Sequence, residues 1–264
     1  TLVGSGILLI VYHYLGWKAL LVGLAGFVLV ALIPLMIYPL KKEDGKPRVL
    51  PADRARRAGL RDIRLFFKQK NMGGHVLILA FFYSGLIGIM AMMKPWMVDM
   101  GFQAGKIGVI AGIYGTSVGA LCAFAAGVII KKNGLRKSMV LFALGSFIAA
   151  LSFTLMNSIS SSLVLILICV ALIWGSYGMS TVAIYTLAME RVRPGREGTD
   201  FTIQIVITHL SSIIIAVLSG HLADVLGYNG LFIIESSLAL FVFLLVSRMS
   251  ELKILRNETS MLQN

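Results

Sequence analysis

Charge is scarce in this chain, and that scarcity settles its class. Only 14% of the 264 residues are charged, 58% are hydrophobic, and mean hydropathy is +0.87. Soluble chains run near half apolar and about a quarter charged, so water is excluded as the solvent for most of this surface. Acidic residues are scarcer still, 12 against 24 Lys and Arg. A net charge of +12 would suit a nucleic-acid binder if it lay along one soluble face. It lies instead in clusters between apolar runs, so no nucleic-acid partner is expected. Cysteine is nearly absent. Cys122 and Cys169 both sit inside apolar runs, which argues against a disulfide framework or a thiolate metal centre. The four histidines, His13, His75, His209 and His221, lack metal-ligand spacing, and no Gly-rich phosphate loop joins a strand to a helix. No metal and no cofactor are expected. A basic, cleavable leader is lacking too, since Thr1 opens directly on an apolar run. The chain is expected to be a fragment, with further helices of the same protein upstream and the lipid bilayer as its surroundings.

What is present is a series of apolar runs near the length of about 20 residues that a membrane-spanning helix needs. Thr1–Leu15 reads as the end of one helix, with a turn at Gly16–Trp17. Lys18–Leu40 reads as a full span closed by Pro34 and Pro39. Six more follow: Val76–Met93, Ile107–Ile130, Met139–Met156, Leu163–Met189, Phe201–Leu226 and Leu231–Val246. Between the two groups lies Lys41–Gly73, the one long polar segment, with 11 Lys and Arg against 4 acids. Within it Leu60, Ile63, Phe66 and Phe67 are spaced as the apolar face of a surface helix. The fold class expected is all-α: a polytopic transmembrane bundle of about eight helices, the first truncated.

Charge placement predicts an orientation. If the basic segment is cytoplasmic, that side carries 21 of the 24 Lys and Arg, and the other keeps only Lys18, Lys94 and Lys106. Every loop agrees with the positive-inside rule.

Two turns repeat. Gly127 to Gly134 and Gly220 to Gly227 share the pattern Gly-x3-charged-x2-Gly, with Lys131 and Asp224 at the charged position. Leu226-Gly227-Tyr228 echoes Leu15-Gly16-Trp17. The first glycine of each pattern is expected to let helices approach, and the second to break the helix. Gly127, Lys132, Gly134 and Lys137 resemble the second copy of the loop signature of the major facilitator superfamily, with Lys131 in place of Asp and Leu135 in place of a base. The resemblance implies helices five (truncated) and six over 1–40, a cytoplasmic linker over 41–75, helices seven to twelve over 76–248 and a cytoplasmic tail over 249–264. It also implies a secondary transporter working by alternating access. Arg196 to Gln204 further resembles the muropeptide permease-like branch, especially importers of pyochelin- and rhizobactin-type siderophores. Proton-coupled import of a small organic solute, a siderophore, across a bacterial inner membrane is the expectation that follows. A muropeptide or other solute is the alternative cargo.

Polar residues at membrane depth are costly and usually face a cavity or a partner. Asp200, Gln204, Thr208 and Ser211 recur every three or four positions and share one helix face, with His209 one position off. They read as a polar wall of a path, with Asp200 and His209 as proton-coupling candidates. For Asp200 a helix cap beside Arg196 is the favoured reading over coupling. Trp174, Tyr177, Thr181 and Tyr185 form a second stripe, either a substrate-facing or an aromatic packing face. Tyr83, Met90 and Lys94 share a face of the first span after the linker. Lys94 reads as a snorkelling residue beside an interfacial Trp96. Gly112, Gly115, Gly119, Ala123 and Gly127 make a small-residue seam for close packing. Glu235 reads as a residue bonded to a Ser or Tyr neighbour, and His221 and Asp224 as structural. An integral-membrane enzyme acting on a lipid is the competing class, but no nucleophile–base or ligand constellation supports it. No filter-like ring suggests a channel.

Overall fold

The computed structural model describes residues 8–37, 59–69, 72–159 and 162–251. Most of the basic linker and the tail after residue 251 lie outside the described residues, as do residues 1–7. Among those described the secondary structure is helical throughout. The elements are α1 (Leu8–Ile37), α2 (Leu60–Phe67), α3 (Met72–Phe81), α4 (Ser84–Asp99), α5 (Ala104–Ile107), a π-helix (Gly108–Tyr114), α6 (Gly115–Asn133), α7 (Leu135–Ile159), α8 (Leu163–Glu190) and α9 (Glu197–Glu251).

These merge into five helices long and apolar enough to cross a membrane: Met72–Asp99, Ala104–Asn133, Leu135–Asn157, Leu163–Glu190 and Glu197–Met249. The last would be about 80 Å long if straight, against about 30 Å of hydrocarbon. It is not straight. Gly227 has φ 66 and ψ 176, outside helical geometry, and the chain reverses there. The reversal is nearly symmetric. Ser219 and Glu235, each eight residues from Gly227, meet at 2.6 Å. The two arms, 197–226 and 228–251, therefore run antiparallel, and the expected pair of spans is present with a single-residue corner.

Gly16 breaks α1 in the same way, at φ 76 and ψ −177, and Gly134 separates α6 from α7 at φ 78 and ψ 153. The repeated turns read from the sequence are thus one backbone device used three times. That region of φ and ψ is essentially restricted to glycine, at about 1–3 kcal/mol for other residues. A Cβ at Gly227 meets nothing within 4 Å, so backbone strain alone is tested there. Gly227→Ala should lower the stability of the purified protein by that amount, read as a depressed Tm. Gly127→Ala, at an open helical position, should not.

The other half of the glycine reading needs correction. Nothing lies within 4 Å of a Cβ built on Gly127, and Gly220 faces only Met92 Cε at 3.7 Å. Neither glycine brings helices together. The seam itself is real further up α6: a Cβ built on Gly119 would lie 3.0 Å from the Trp174 carbonyl oxygen, and one on Gly115 would overlap the Trp174 indole. Across from them, a Cβ on Gly178 of α8 would overlap the Gly119 backbone carbonyl.

The interior has two layers. One holds Leu86, Ile89, Met93, Trp96, Phe153, Ile173 and Phe232, the other Ile78, Leu79, Phe82, Phe142, Ile184, Leu187 and Val246. Tyr177 packs against both. Trp96 is a member of the first layer, not an interfacial residue. It is 2% exposed, donates to Asn157 Oδ1 at 2.7 Å and sits edge-on to Phe153. The outer surface stays apolar, as Phe124 (81% exposed), Leu121 and Val217 show, and lipid is the solvent that such a surface fits.

Candidate functional site

Two groups of polar and aromatic side chains stand out from the apolar packing. The first lies where the α8–α9 loop meets α2 and α3. Gly195 adopts φ 80 and turns the loop, so that Arg193 comes back over the first turn of α9. Its Nε donates to Asp200 Oδ2 at 2.7 Å, its Nη2 to Oδ1 at 2.6 Å, and its backbone N–H to Oδ2 at 3.0 Å. The hydrogen bond with Asp200 pushes the Arg193 guanidinium further above its ordinary pKa. Nη2 also donates to the Asp62 carbonyl at 3.0 Å, and Arg196 approaches the Asp62 carboxylate at 3.7 Å. Asp200 is therefore clamped by Arg193, while Arg196 serves α2. The acid stands in the first turn of α9, and the side chain that grips it is that of Arg193.

One turn further, Gln204 is fully buried. Its amide donates to the Ala188 carbonyl at 2.9 Å and to the Asp200 carbonyl at 3.1 Å. Both bonds fix the amide orientation and leave Oε1 facing His75 Nε2 at 2.5 Å. His75 then donates its Nε2 proton to that oxygen, and its buried Nδ1 has no partner among the described residues. Thr208 is 1% exposed and bonds back to the Gln204 carbonyl, and Ser211 donates to the Ala80 carbonyl. The Asp200–Gln204–Thr208–Ser211 stripe has the period read from the sequence but a different neighbour. It is buried in packing with α3 and the α8 end, and does not form an open polar wall. His209, one position off, is exposed.

The second group is aromatic. Trp174 and Tyr177 stand edge-on at 6.2 Å between centroids, and Tyr177 meets Tyr83 at 5.8 Å. Tyr83 lies at the short break between α3 and α4. Trp174 packs on Gly115, where the π-helix 108–114 ends, and the Gly112 carbonyl of that wide turn accepts from both Gly115 N–H and Thr116 Oγ1. Wide turns of this kind recur at functional sites. Sequence reasoning had no signal for it, because Gly108–Tyr114 has an ordinary apolar composition. Trp174 is 9% exposed, yet its indole N–H finds no acceptor among the described residues. A buried indole donor normally has one. Thr181 bonds back to the Tyr177 carbonyl, and Tyr185, exposed, contacts Phe201 at 6.2 Å. Tyr83, Trp174 and Tyr177 thus form one cluster. Thr181 and Tyr185 continue its helix toward the loop, and the α9 stripe stands apart from it.

The turn residues sit at the helix ends. Gly134 is the corner itself, Lys132 and Lys137 flank it and are exposed, and Asp224 is exposed three residues before Gly227. Among the described residues no three His, Cys, Asp or Glu side chains form a group that could hold a metal ion.

Comparison with known proteins bears on the whole of this arrangement. The family model described as the Major Facilitator Superfamily matches residues 1–215. A protein of Rickettsia felis carrying the provisional name transporter AmpG 4 is 23% identical over 175 residues, covering 66% of this chain and 42% of that protein. Its namesake from Rickettsia conorii is 21% identical over the same extent. The chain spans about two-fifths of the length of these curated relatives.

Proposed function

Because the chain belongs to the Major Facilitator Superfamily, we propose that it is the helix-five-to-twelve portion of a secondary transporter moving a small organic solute, with Tyr83, Trp174 and Tyr177 at the substrate. The observation carrying this reading is the unpaired Trp174 indole donor beside two tyrosine rings, next to a π-helix. An orphan donor beside edge-on and tilted aromatic rings suits a solute that brings a hydrogen-bond acceptor on a flat or amphipathic body. Thr181 and Tyr185 extend the same face of α8. The residues of 76–248 would form one six-helix half, facing a first half of which this chain supplies the last helices. The basic linker end would be cytoplasmic, on the strength of the 21 of 24 Lys and Arg found there.

Alternating access by rocking of the two halves, driven by the proton gradient, is the mechanism we assign. For cargo, the segment Arg196 to Gln204 favours a siderophore bearing aromatic donors, imported across a bacterial inner membrane. The similarity to AmpG-named transporters favours a muropeptide as the second reading. Uptake of both solutes by the complete protein in proteoliposomes, with and without an inward proton gradient, separates them. Accumulation of either one that ignores the gradient would refute proton coupling. Tyr177→Ala should weaken apparent affinity about two- to tenfold, as expected of an aromatic contact worth about 0.5–1.5 kcal/mol. Tyr177→Phe should change it little. An unchanged KM in Tyr177→Ala would remove the cluster from the path.

A further inference from the structure

Glu235 is a carboxyl buried in the middle of the α9 hairpin. It is 2% exposed and lies eight residues, about 12 Å of helix, from the Gly227 corner. Its housing is specific. A Cβ on Gly88 of α4 would overlap the Glu235 carboxyl and crowd Ser219 Oγ, so the absence of a side chain at Gly88 creates the notch the carboxyl fills. Gly85, one turn before, lies against the Glu235 backbone carbonyl, which brings α4 close along the same line. Oε1 lies 2.6 Å from Ser219 Oγ, and Oε2 has no hydrogen-bond partner among the described residues.

No cation compensates this carboxyl. Among the described residues Glu235 has no ion pair. On α4 the ionisable groups are Lys94, six residues beyond Gly88, and Asp99; on α3 there is His75, and between them Tyr83. The first arm of α9 carries Glu197 and Asp200 in its first turn, far from Glu235, and the exposed His209, His221 and Asp224; the second carries Tyr228 and, at its far end, Arg248 and Glu251. Tyr228 bonds Asp99 instead. From α7, the neutral Thr154 bonds Ser236 of this arm, and Arg136 and Lys137 lie at the far start of α7.

Proton counting then decides the resting state. Ser219 Oγ lies within bonding distance of two acceptors, the Ile215 carbonyl at 2.8 Å and Glu235 Oε1 at 2.6 Å, but a hydroxyl has one proton. If Ser219 donates to Ile215, the short contact to Glu235 requires the carboxyl to donate. If the carboxyl is ionised, Ser219 must turn its proton to Oε1, leaving a bare charge on Oε2 at membrane depth. The neutral acid satisfies both Ser219 contacts and leaves only an uncharged carbonyl oxygen at Oε2.

We infer that Gly88, Ser219 and Glu235 form a proton-binding site, in which the carboxyl rests protonated between α4 and the α9 hairpin and releases its proton when α4 withdraws. Resting on the transporter reading, this is the proton whose gradient drives uptake, in place of Asp200, which Arg193 holds, and of the exposed His209.

The test reads the acid directly. In the complete protein, infrared spectroscopy should show a protonated-carboxyl C=O stretch that is absent from Glu235→Gln. In Ser219→Ala the band should persist but shift to higher frequency as its hydrogen bond is lost. A carboxyl spectrum identical in parent and Glu235→Gln would overturn the site, and an unmoved band in Ser219→Ala would overturn the Ser219 partnership. In proteoliposomes Glu235→Gln should lose gradient-driven accumulation while retaining solute exchange at zero gradient; accumulation at the parental level would overturn the coupling role. If the parent moves no solute at all, the transporter reading fails, and the infrared result still decides the proton site.

Discussion

Gly178→Leu is expected to prevent assembly of the helix bundle, the largest effect foreseen for any single substitution in this chain. In lipid there is no hydrophobic gain from bringing two apolar helices together, so association rests on close packing and interhelical polar contacts. α6 and α8 pack through glycine on both sides: Gly119 lies against the Trp174 backbone, and Gly178 lies against the Gly119 backbone. A Cβ on Gly178 would overlap the carbonyl oxygen and approach the carbonyl carbon of Gly119 at 3.0 Å. Backbone cannot swing aside as a flexible side chain can. Over-packing ordinarily costs about 1–3 kcal/mol, and a side chain opposed to backbone belongs at or beyond the upper end. Gly178→Ala should therefore lower Tm markedly, and Gly178→Leu should yield little monodisperse protein on size exclusion. Gly145→Ala is the matched control, because its Cβ would find only Ser176 Oγ at 3.8 Å. Parental Tm and yield for Gly178→Leu would contradict the close approach of α6 and α8.

Gly178 illustrates what the sequence shows and what it hides. The seam on α6 was legible because Gly115 and Gly119 repeat at one turn, which is a property of a single helix. Its partner on α8 was half-legible: Gly175 and Gly178 also stand one turn apart, but nothing local reveals that Gly178 meets the Gly119 carbonyl. Gly127 shows the converse: it has the right period and no neighbour. The spans were legible for the same local reason, because hydrocarbon thickness fixes their length. The corner glycines were legible because a positive φ needs no tertiary partner, and Gly16, Gly134 and Gly227 all adopt one. The polar stripe on α9 had the right period but the wrong environment, since nothing local reveals that His75 and the Ala80 carbonyl stand opposite. Trp96 went astray similarly. Beside Lys94 and Pro95 it resembles an interfacial anchor, while Phe153 and Phe232 enclose it in three dimensions. The Glu235 notch was half-legible: a bonded serine neighbour was foreseen, but the space at Gly88 was not.

The same distinction governs the second large effect, at Asp200. Arg196 is one turn before it in sequence, but the positive-φ turn at Gly195 delivers Arg193 instead. Asp200 is fully buried, and Arg193 is 24% exposed. Removing one partner of a buried pair costs about 3–5 kcal/mol, because the other charge is left uncompensated. Solvent at the exposed quarter of Arg193 screens part of that loss, so on the order of 2 kcal/mol is the figure to expect for Asp200→Ala. The damage should travel along two routes. Through Arg193 Nη2, which also holds the Asp62 carbonyl, α2 should loosen; amide exchange across residues 60–67 should rise in Asp200→Ala while exchange in α6 stays at the parental rate. Through Arg193 N–H, the loop that begins α9 should lose its first turn. Arg193→Lys separates charge from geometry. An ammonium keeps the positive charge but not the planar fork that engages both carboxylate oxygens, so it should behave nearly as Arg193→Ala does. In a double-mutant cycle, Arg193→Ala and Asp200→Ala should couple by most of the single-mutant loss. Additive losses, or α2 exchange unaltered in Asp200→Ala, would show that Arg193 does not link the linker helix to α9.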